Sequence, residues 1–200
     1  MQKYTAEQIL EVMNKKGYKI FRDGSVNLIG IRAKDKTVNI FNDLLVVLRI
    51  KAEVVSISHY SITTDPGSFY LKTPLNPYGC AILKPGQYKR AWSIGKHKGL
   101  YTALVQVGNF TLIRDNNKDN MLDFDSKIEQ TGTNFGINCH HAGEKDSDLI
   151  GKYSAGCQVF GFIEEWCSFI NDMLVEKEKW GNYFTYTLLD EQDLLDLGVI

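Results

Sequence analysis

With 200 residues, 44% of them apolar and 24% charged, the chain has enough apolar material to bury a sizeable core and too little bias for a disordered segment. A net charge of −1 argues against nucleic acid or an anionic membrane surface as partner. No apolar run approaches the roughly 18–20 residues of a membrane span, so one globular domain over 1–200 is expected, its first 50 residues β-rich with one short helix.

Met1-Gln2-Lys3-Tyr4-Thr5 runs straight into a helical pattern without an apolar signal core, which predicts cytoplasmic synthesis. Thr5-Ala6-Glu7-Gln8 is a capping-box pattern opening a helix to about Lys16, with Ile9, Leu10 and Met13 on its apolar side and Gly17 as its stop. Short strands are predicted over Tyr18 to Phe21, Val26 to Arg32, Val38 to Phe41 and Leu44 to Ile50, with breaks at Arg22-Asp23-Gly24-Ser25, Ala33-Lys34-Asp35-Lys36 and Asn42-Asp43. Val54 to Ser61 alternates as another strand, and Thr63-Thr64-Asp65-Pro66-Gly67 reads as a turn.

The middle third, Asn76 to Tyr88, joins two Pro/Gly turns to aromatic residues and is expected to form cleft-lining loops. Lys84, Lys89, Arg90, Lys96 and Lys98 make this stretch locally positive, or simply solvated. From Asp115 the chain sets oxygen-bearing side chains at Asp115, Asn117, Asp119 and Asp123, positions 1, 3, 5 and 9 of an EF-hand-like loop, with the Met121 carbonyl at position 7. Asn120 stands where such loops carry glycine, and Ser126 where they carry a bidentate acid. Two readings stay open, an Asx-rich turn between strands and a structural calcium site.

Gly136-Ile137-Asn138-Cys139-His140-His141-Ala142-Gly143 and Tyr153-Ser154-Ala155-Gly156-Cys157-Gln158-Val159-Phe160 carry the candidate chemistry. A small-residue turn delivers Cys157 ahead of an apolar segment, with an imidazole upstream. A free thiol, with an ordinary pKa of about 8.5, needs a nearby base or positive charge to act as a nucleophile. His140 and His141 are both available. If Ile137 and Cys139 face the core of a strand, His140 shares the opposite face with Asn138, which favours His140. The turn N–H groups around Gly156 and Cys157 are candidate oxyanion donors. Phe162 to Lys179 is predicted as a helix, Tyr183 to Leu189 as a strand, and Asp190 to Asp196 as a terminal turn or short helix. The cysteines at 80, 139, 157 and 167 lack metal-type spacing and read as reduced thiols.

Ile137-Asn138-Cys139-His140 followed by Ser154-Ala155-Gly156-Cys157-Gln158-Val159 resembles the catalytic motif of the L,D-transpeptidase family, in a divergent branch of phage and Bacteroides type. Ala155 stands where most of the family has histidine, Gln158-Val159 where it has a hydrophobic residue and arginine, and His141 where it has glycine. The resemblance implies an α+β fold, a mixed β-sandwich-like core with a helix after the nucleophile. It also implies cysteine-dependent acyl transfer or hydrolysis on peptidoglycan stem peptides, needing no cofactor for the chemistry. Cys157 would be the nucleophile and His140 the base, with Ser154 and Gly156 shaping the turn. His141, His97, Tyr88 and Trp92 are expected substrate contacts. The protein would act on the cell wall after lysis, or as part of a phage particle. Two alternatives stay open: a non-catalytic peptidoglycan-binding or virion module of this fold, and a cysteine amidase or endopeptidase cutting a different bond.

Overall fold

The computed structural model describes residues 3–197. Met1 and Gln2, the start of the segment read as lacking a signal core, lie outside them. In chain order the elements are α1 (Ala6–Lys15), β1 (Asp23–Arg32), β2 (Asp43–Lys51), β3 (Val54–Thr63), α2 (Ser68–Lys72), β4 (Cys80–Leu83), β5 (Gly86–His97), β6 (Tyr101–Gln106) and β7 (Phe110–Asp115). They continue with β8 (Glu129–Gly132), β9 (Cys139–His141), β10 (Gln158–Phe160), α3 (Ile163–Trp180), β11 (Phe184–Asp190) and α4 (Glu191–Leu195).

The expected α+β character holds, but the main sheet is not one layer of a sandwich. It closes as a barrel in the order β1-β11-β5-β6-β9-β10-β3-β2, and β4-β7-β8 form a separate three-stranded sheet. Closure follows from the strands' two-faced burial. On β1 and β2, Leu28, Leu45 and Val47 point into the barrel core, while Ile29, Ile31, Leu44, Val46, Leu48 and Ile50 face outward. Ile9, Val12 and Met13 of α1 cover that outer face, so both faces are apolar and the strands read as near-continuous hydrophobic runs. The predicted capping box is formed, Thr5 accepting from the Gln8 N–H while the Gln8 side chain accepts from the Thr5 N–H.

α3 turns Trp166, Phe169, Ile170 and Met173 into the same core as the barrel interior. Its outer side is tied down where Arg49 meets Asp172 at 2.8 Å and Glu176 at 3.2 Å. Close packing inside the barrel requires glycine at position 30: a Cβ there would sit 1.8 Å from the Tyr186 hydroxyl oxygen. That hydroxyl donates to Gln158 Oε1 at 2.8 Å, and both side chains are fully buried.

Three strand expectations fail, two of them because side-chain amides replace the ladder. Residues 18–21 run without a ladder because side-chain amides take the backbone groups: Gln87 bonds Lys19 N–H and C=O, and Asn27 bonds Phe21 N–H and C=O. Residues 38–41 keep only an isolated bridge, Ile40 to Leu149, where Asn39 turns into the left-handed region at φ 74°. The strand expected to carry Ile137 to His140 is reduced to Cys139–His141, because the side chains of Gln106 and Asn138 bond the Ile137 and Gln106 N–H groups. The residues expected as middle-third loops instead supply β4 and β5.

Among the described residues no helix is long and apolar enough to cross a membrane. Replacing Tyr186 by Phe leaves Gln158 Oε1 buried without that donor and should cost about 1–3 kcal/mol, read as a lowered denaturant midpoint at unchanged slope.

Candidate functional site

β9 and β10 are parallel neighbours, with Cys139 opposite Gln158, His140 opposite Val159 and His141 opposite Phe160. The N–H of Gln158 donates to the Asn138 carbonyl, which sets Cys157 beside Asn138 one step before the ladder. Paired residues in parallel strands point to the same side, so Cys157, Val159, Asn138 and His140 share one face. Cys139, Gln158 and Phe160 turn inward to the barrel core. The alternation that favoured His140 over His141 is therefore realised.

The turn before the thiol is built by Ser154, which is fully buried. Its hydroxyl donates to the Cys157 carbonyl at 2.9 Å and accepts from the Gly156 N–H at 3.1 Å. Gly156 sits at φ 122°, and a Cβ there would fall 2.6 Å from the Ala81 carbonyl, so only glycine fits. One consequence corrects the sequence reading: the Gly156 N–H is occupied inside the turn and is not an oxyanion donor. Gln158 Nε2 reaches back to the Gly156 carbonyl at 3.5 Å. From outside, Asn39 holds the loop, its Oδ1 accepting from Gly151 at 2.6 Å and its carbonyl from Ile150.

The Cys157 thiol donates to the Gly136 carbonyl at 3.3 Å, and its sulfur accepts from the Asn138 N–H at 3.4 Å. Burial pushes the thiol up to about 11, against the smaller downward pulls of the Asn138 N–H and the Lys98 ammonium. His140 is 3% exposed. Its Nδ1 lies 2.8 Å from the His141 carbonyl and 3.1 Å from the Tyr101 hydroxyl, whose own hydrogen goes to that same carbonyl at 3.3 Å. A carbonyl accepts only, so Nδ1 carries the hydrogen and Nε2 presents its lone pair. Nε2 is buried and has no hydrogen-bond partner. Burial, then the neighbouring His97, lower His140 to about 3.

His97 also enters the site. It stacks on His140 with ring centroids 4.0 Å apart and takes a hydrogen bond at Nδ1 from Asn138 Nδ2, 3.0 Å away. Burial, then Lys98, lower it to about 4, so both stacked rings are neutral near pH 7. Tyr101 is the member sequence reasoning missed. Its hydroxyl lies 3.1 Å from His140 Nδ1, and burial, then the Cys157 sulfur, push it up to about 12. Nothing in its sequence neighbourhood marks it, because its role depends on β6 pairing with β9.

Other expected contacts are corrected. Trp92 is fully buried and donates to the Ile137 carbonyl at 2.8 Å, which makes it a core residue behind the site. Tyr88 is 8% exposed, packs edge-on to Phe110 and bonds the Lys84 carbonyl, so it is structural too. His141 is half-buried on the opposite side of its strand, against Tyr101 and Trp166, and bonds the Gly143 carbonyl through Nδ1 at 2.6 Å. Cys139 is fully buried and is pushed well above the ordinary thiol range by burial.

The expected calcium residues do come together. Asn117 Nδ2 lies 3.0 Å from Asp119 Oδ2 and 2.6 Å from Asp123 Oδ2, while the Asp123 N–H donates to Asp115 Oδ2 at 3.2 Å. Among the described residues, no three His, Cys, Asp or Glu side chains form a group already arranged to hold a metal ion.

Two outcomes are expected. Because His140 is held far below its ordinary value, the unfolded chain binds a proton that the folded one refuses between about pH 6.5 and 3. Its contribution to stability is complete above that window and is lost as pH falls through it. Urea midpoints should therefore drop on acidification, and less steeply for His140→Gln than for the wild type. In alkylation, exposed Cys167 should react first at neutral pH, with Cys157 rising about tenfold per pH unit toward its raised pKa. Peptide mapping after iodoacetamide checks the order.

No protein-family model, curated protein or solved structure matches this chain, so its chemistry is argued from the site's own geometry.

Proposed function

We propose that the protein is a cysteine acyltransferase or hydrolase acting on peptidoglycan stem peptides, with Cys157 as nucleophile and His140 as base. The observation that supports this most is the unpartnered Nε2 of His140, a buried lone pair on the face that carries Cys157. A buried polar atom without a partner costs about 1–3 kcal/mol, and a thiol turning its S–H toward the lone pair would satisfy it. Peptidoglycan as substrate, and action on the wall after lysis or from a phage particle, rest on the motif resemblance alone.

In the proposed step the Cys157 sulfur attacks the peptide carbonyl carbon as its proton passes to His140 Nε2. The His141 carbonyl and Tyr101 hold the imidazolium through Nδ1. With the Gly156 N–H committed to Ser154, the Cys157 N–H is the turn's remaining donor for the carbonyl oxygen. Collapse breaks the C–N bond, and the departing amine takes the proton from His140. Water or a second amine then attacks the thioester, giving its proton to His140, and the thiolate recovers it. The resting pair is neutral, since the thiol lies far above pH 7 and the imidazole far below it. Proton transfer therefore accompanies attack instead of preceding it.

A second reading, a binding module without chemistry, draws support from the same burial, because a thiol at about 11 is a poor nucleophile until something lowers it. Incubation with defined tetrapeptide and pentapeptide muropeptides followed by mass analysis decides between them. The expected result is product or an acyl adduct with wild type and none with Cys157→Ala. His140→Gln should lower the rate by about 10²–10⁴. Unchanged substrates alongside measurable binding would favour the module.

A further inference from the structure

We infer that the loop from Asp115 to Asp123 is a calcium site that fastens the end of β7. Asp115, the last residue of β7, is 1% exposed, and its Oδ1 is buried with no hydrogen-bond partner. The other oxygen of the same carboxylate, Oδ2, accepts from the Asp123 N–H at 3.2 Å, which joins Asp115 to the loop where the Asp119 and Asp123 carboxylates converge on the Asn117 amide. No lysine or arginine of the described residues forms an ion pair with any of the three. The amide NH₂ of Asn117 occupies the point where the two carboxylates meet, where a cation would stand. Turning that amide by half a rotation would present Oδ1 to the same point, at the cost of the hydrogen bond that Oδ1 now accepts from the Asp119 N–H at 3.2 Å.

The resulting donors are all oxygens: Asp115, Asn117, Asp119, Asp123 and the Met121 carbonyl. Oxygen-only sets select calcium over softer metals, and an irregular loop suits calcium better than magnesium, which demands a tight octahedron. Asn120, in the place where such loops carry glycine, adopts φ 66°, a conformation asparagine tolerates. At position 12 the Ser126 hydroxyl donates to the Arg114 carbonyl and leaves no bidentate acid, which places affinity in the weak class, about 10⁻⁴–10⁻³ M. The test is thermal unfolding of the full chain with about 10 mM calcium, magnesium or chelator, together with calorimetric titration of calcium chloride. Calcium alone should raise the unfolding temperature by several degrees, and Asp119→Ala, an exposed substitution, should abolish both the rise and the binding heat. Identical unfolding in calcium and chelator, or a rise that survives Asp119→Ala, would overturn the site.

A second inference, which rests on the acyl-transfer reading, concerns Arg114. Its side chain is buried, 5% exposed, yet its partners are neutral: Nε donates to Gln130 Oε1 at 2.8 Å and Nη1 to the Gly79 carbonyl at 3.4 Å, and the guanidinium lies 5.5 Å over the Phe135 ring. A buried cation without a counter-ion is costly. Arg114 lines a cavity of about 200 Å³ together with Asn76, Asn134, Phe135 and Ala155. Phe135 precedes Gly136, whose carbonyl takes the thiol hydrogen, and Ala155 stands two residues ahead of Cys157.

We propose that Arg114 receives a free carboxylate of the stem peptide, the partner its planar fork suits best. Binding to Cys157→Ala protein, measured by calorimetry with a tetrapeptide acid and its C-terminal amide, needs no turnover. The acid should bind at least tenfold tighter, and Arg114→Gln should erase the difference; Arg114→Lys, which keeps the charge without the fork, should retain part of it. Equal affinity for acid and amide, or a preference that persists in Arg114→Gln, would overturn the subsite while leaving the proposed chemistry standing. Acid preference without any Cys157-dependent product would instead sink the chemistry and leave the subsite.

Discussion

The hydrogen bond from the Tyr186 hydroxyl to Gln158 Oε1 is the constraint on which the rest of the site hangs. It lies inside the barrel, joining β11 to β10, strands that are not neighbours in the sheet. The rest of the Gln158 amide reaches the Gly156 carbonyl, so one buried side chain connects the core to the turn that presents the thiol. A polar link in an apolar interior is strong when every member is paired and expensive when one is missing. Its location explains two sequence choices at once. Glycine at position 30 makes room for the Tyr186 hydroxyl, and glutamine after the cysteine faces inward, to the core, instead of outward to the face that carries Cys157.

On the opposite face of the same strands, polar groups serve a different end. Tyr101 and the His141 carbonyl fix which nitrogen of His140 is protonated, and Asn138 does the same for His97. The two rings stack as neutral groups, a packing that two imidazolium ions could not share at 4.0 Å. Desolvation thus keeps acid and base apart at rest: the thiol holds its proton, and the imidazole has none at Nε2. In the proposed reaction the charge would arise only as the carbonyl is attacked.

The sequence was most legible where periodicity was uninterrupted. α1 with its capping box, α3, the first three strands and the order of His140 before Cys157 on adjacent segments could all be read from spacing. Elsewhere the pattern is broken by groups that act at a distance. β5 loses alternation around Arg90, which adopts φ 50° where Gly108 packs against its carbonyl, and a run rich in glycine and lysine then looks like loop. Amides from Gln87, Asn27, Gln106 and Asn138 stand in for strand partners, which no local propensity foretells. Within the candidate site, the arrangement of Ser154 and Gly156 before Cys157 was legible because turn chemistry is local, and the face of His140 because strand alternation is. Tyr101 was not, and Trp92 and Tyr88 were misread because aromatic residues beside glycine look exposed until the barrel closes over them.

Parallel pairing of β9 with β10 separates two quantities that a motif runs together. The relation between His140 and Cys157 is set by ladder register, whereas the number of residues between them is only the length of the crossover that returns the chain to the start of the next strand. Lengthening the chain at exposed Glu144 and Lys145, short of Asp146 and Ser147, which bond the Ile163 N–H and the Gly161 carbonyl, would change the spacing a pattern search measures and leave the pair where it is. Kinship among such proteins is then better sought in strand order and inward-facing glutamine than in a fixed count from histidine to cysteine.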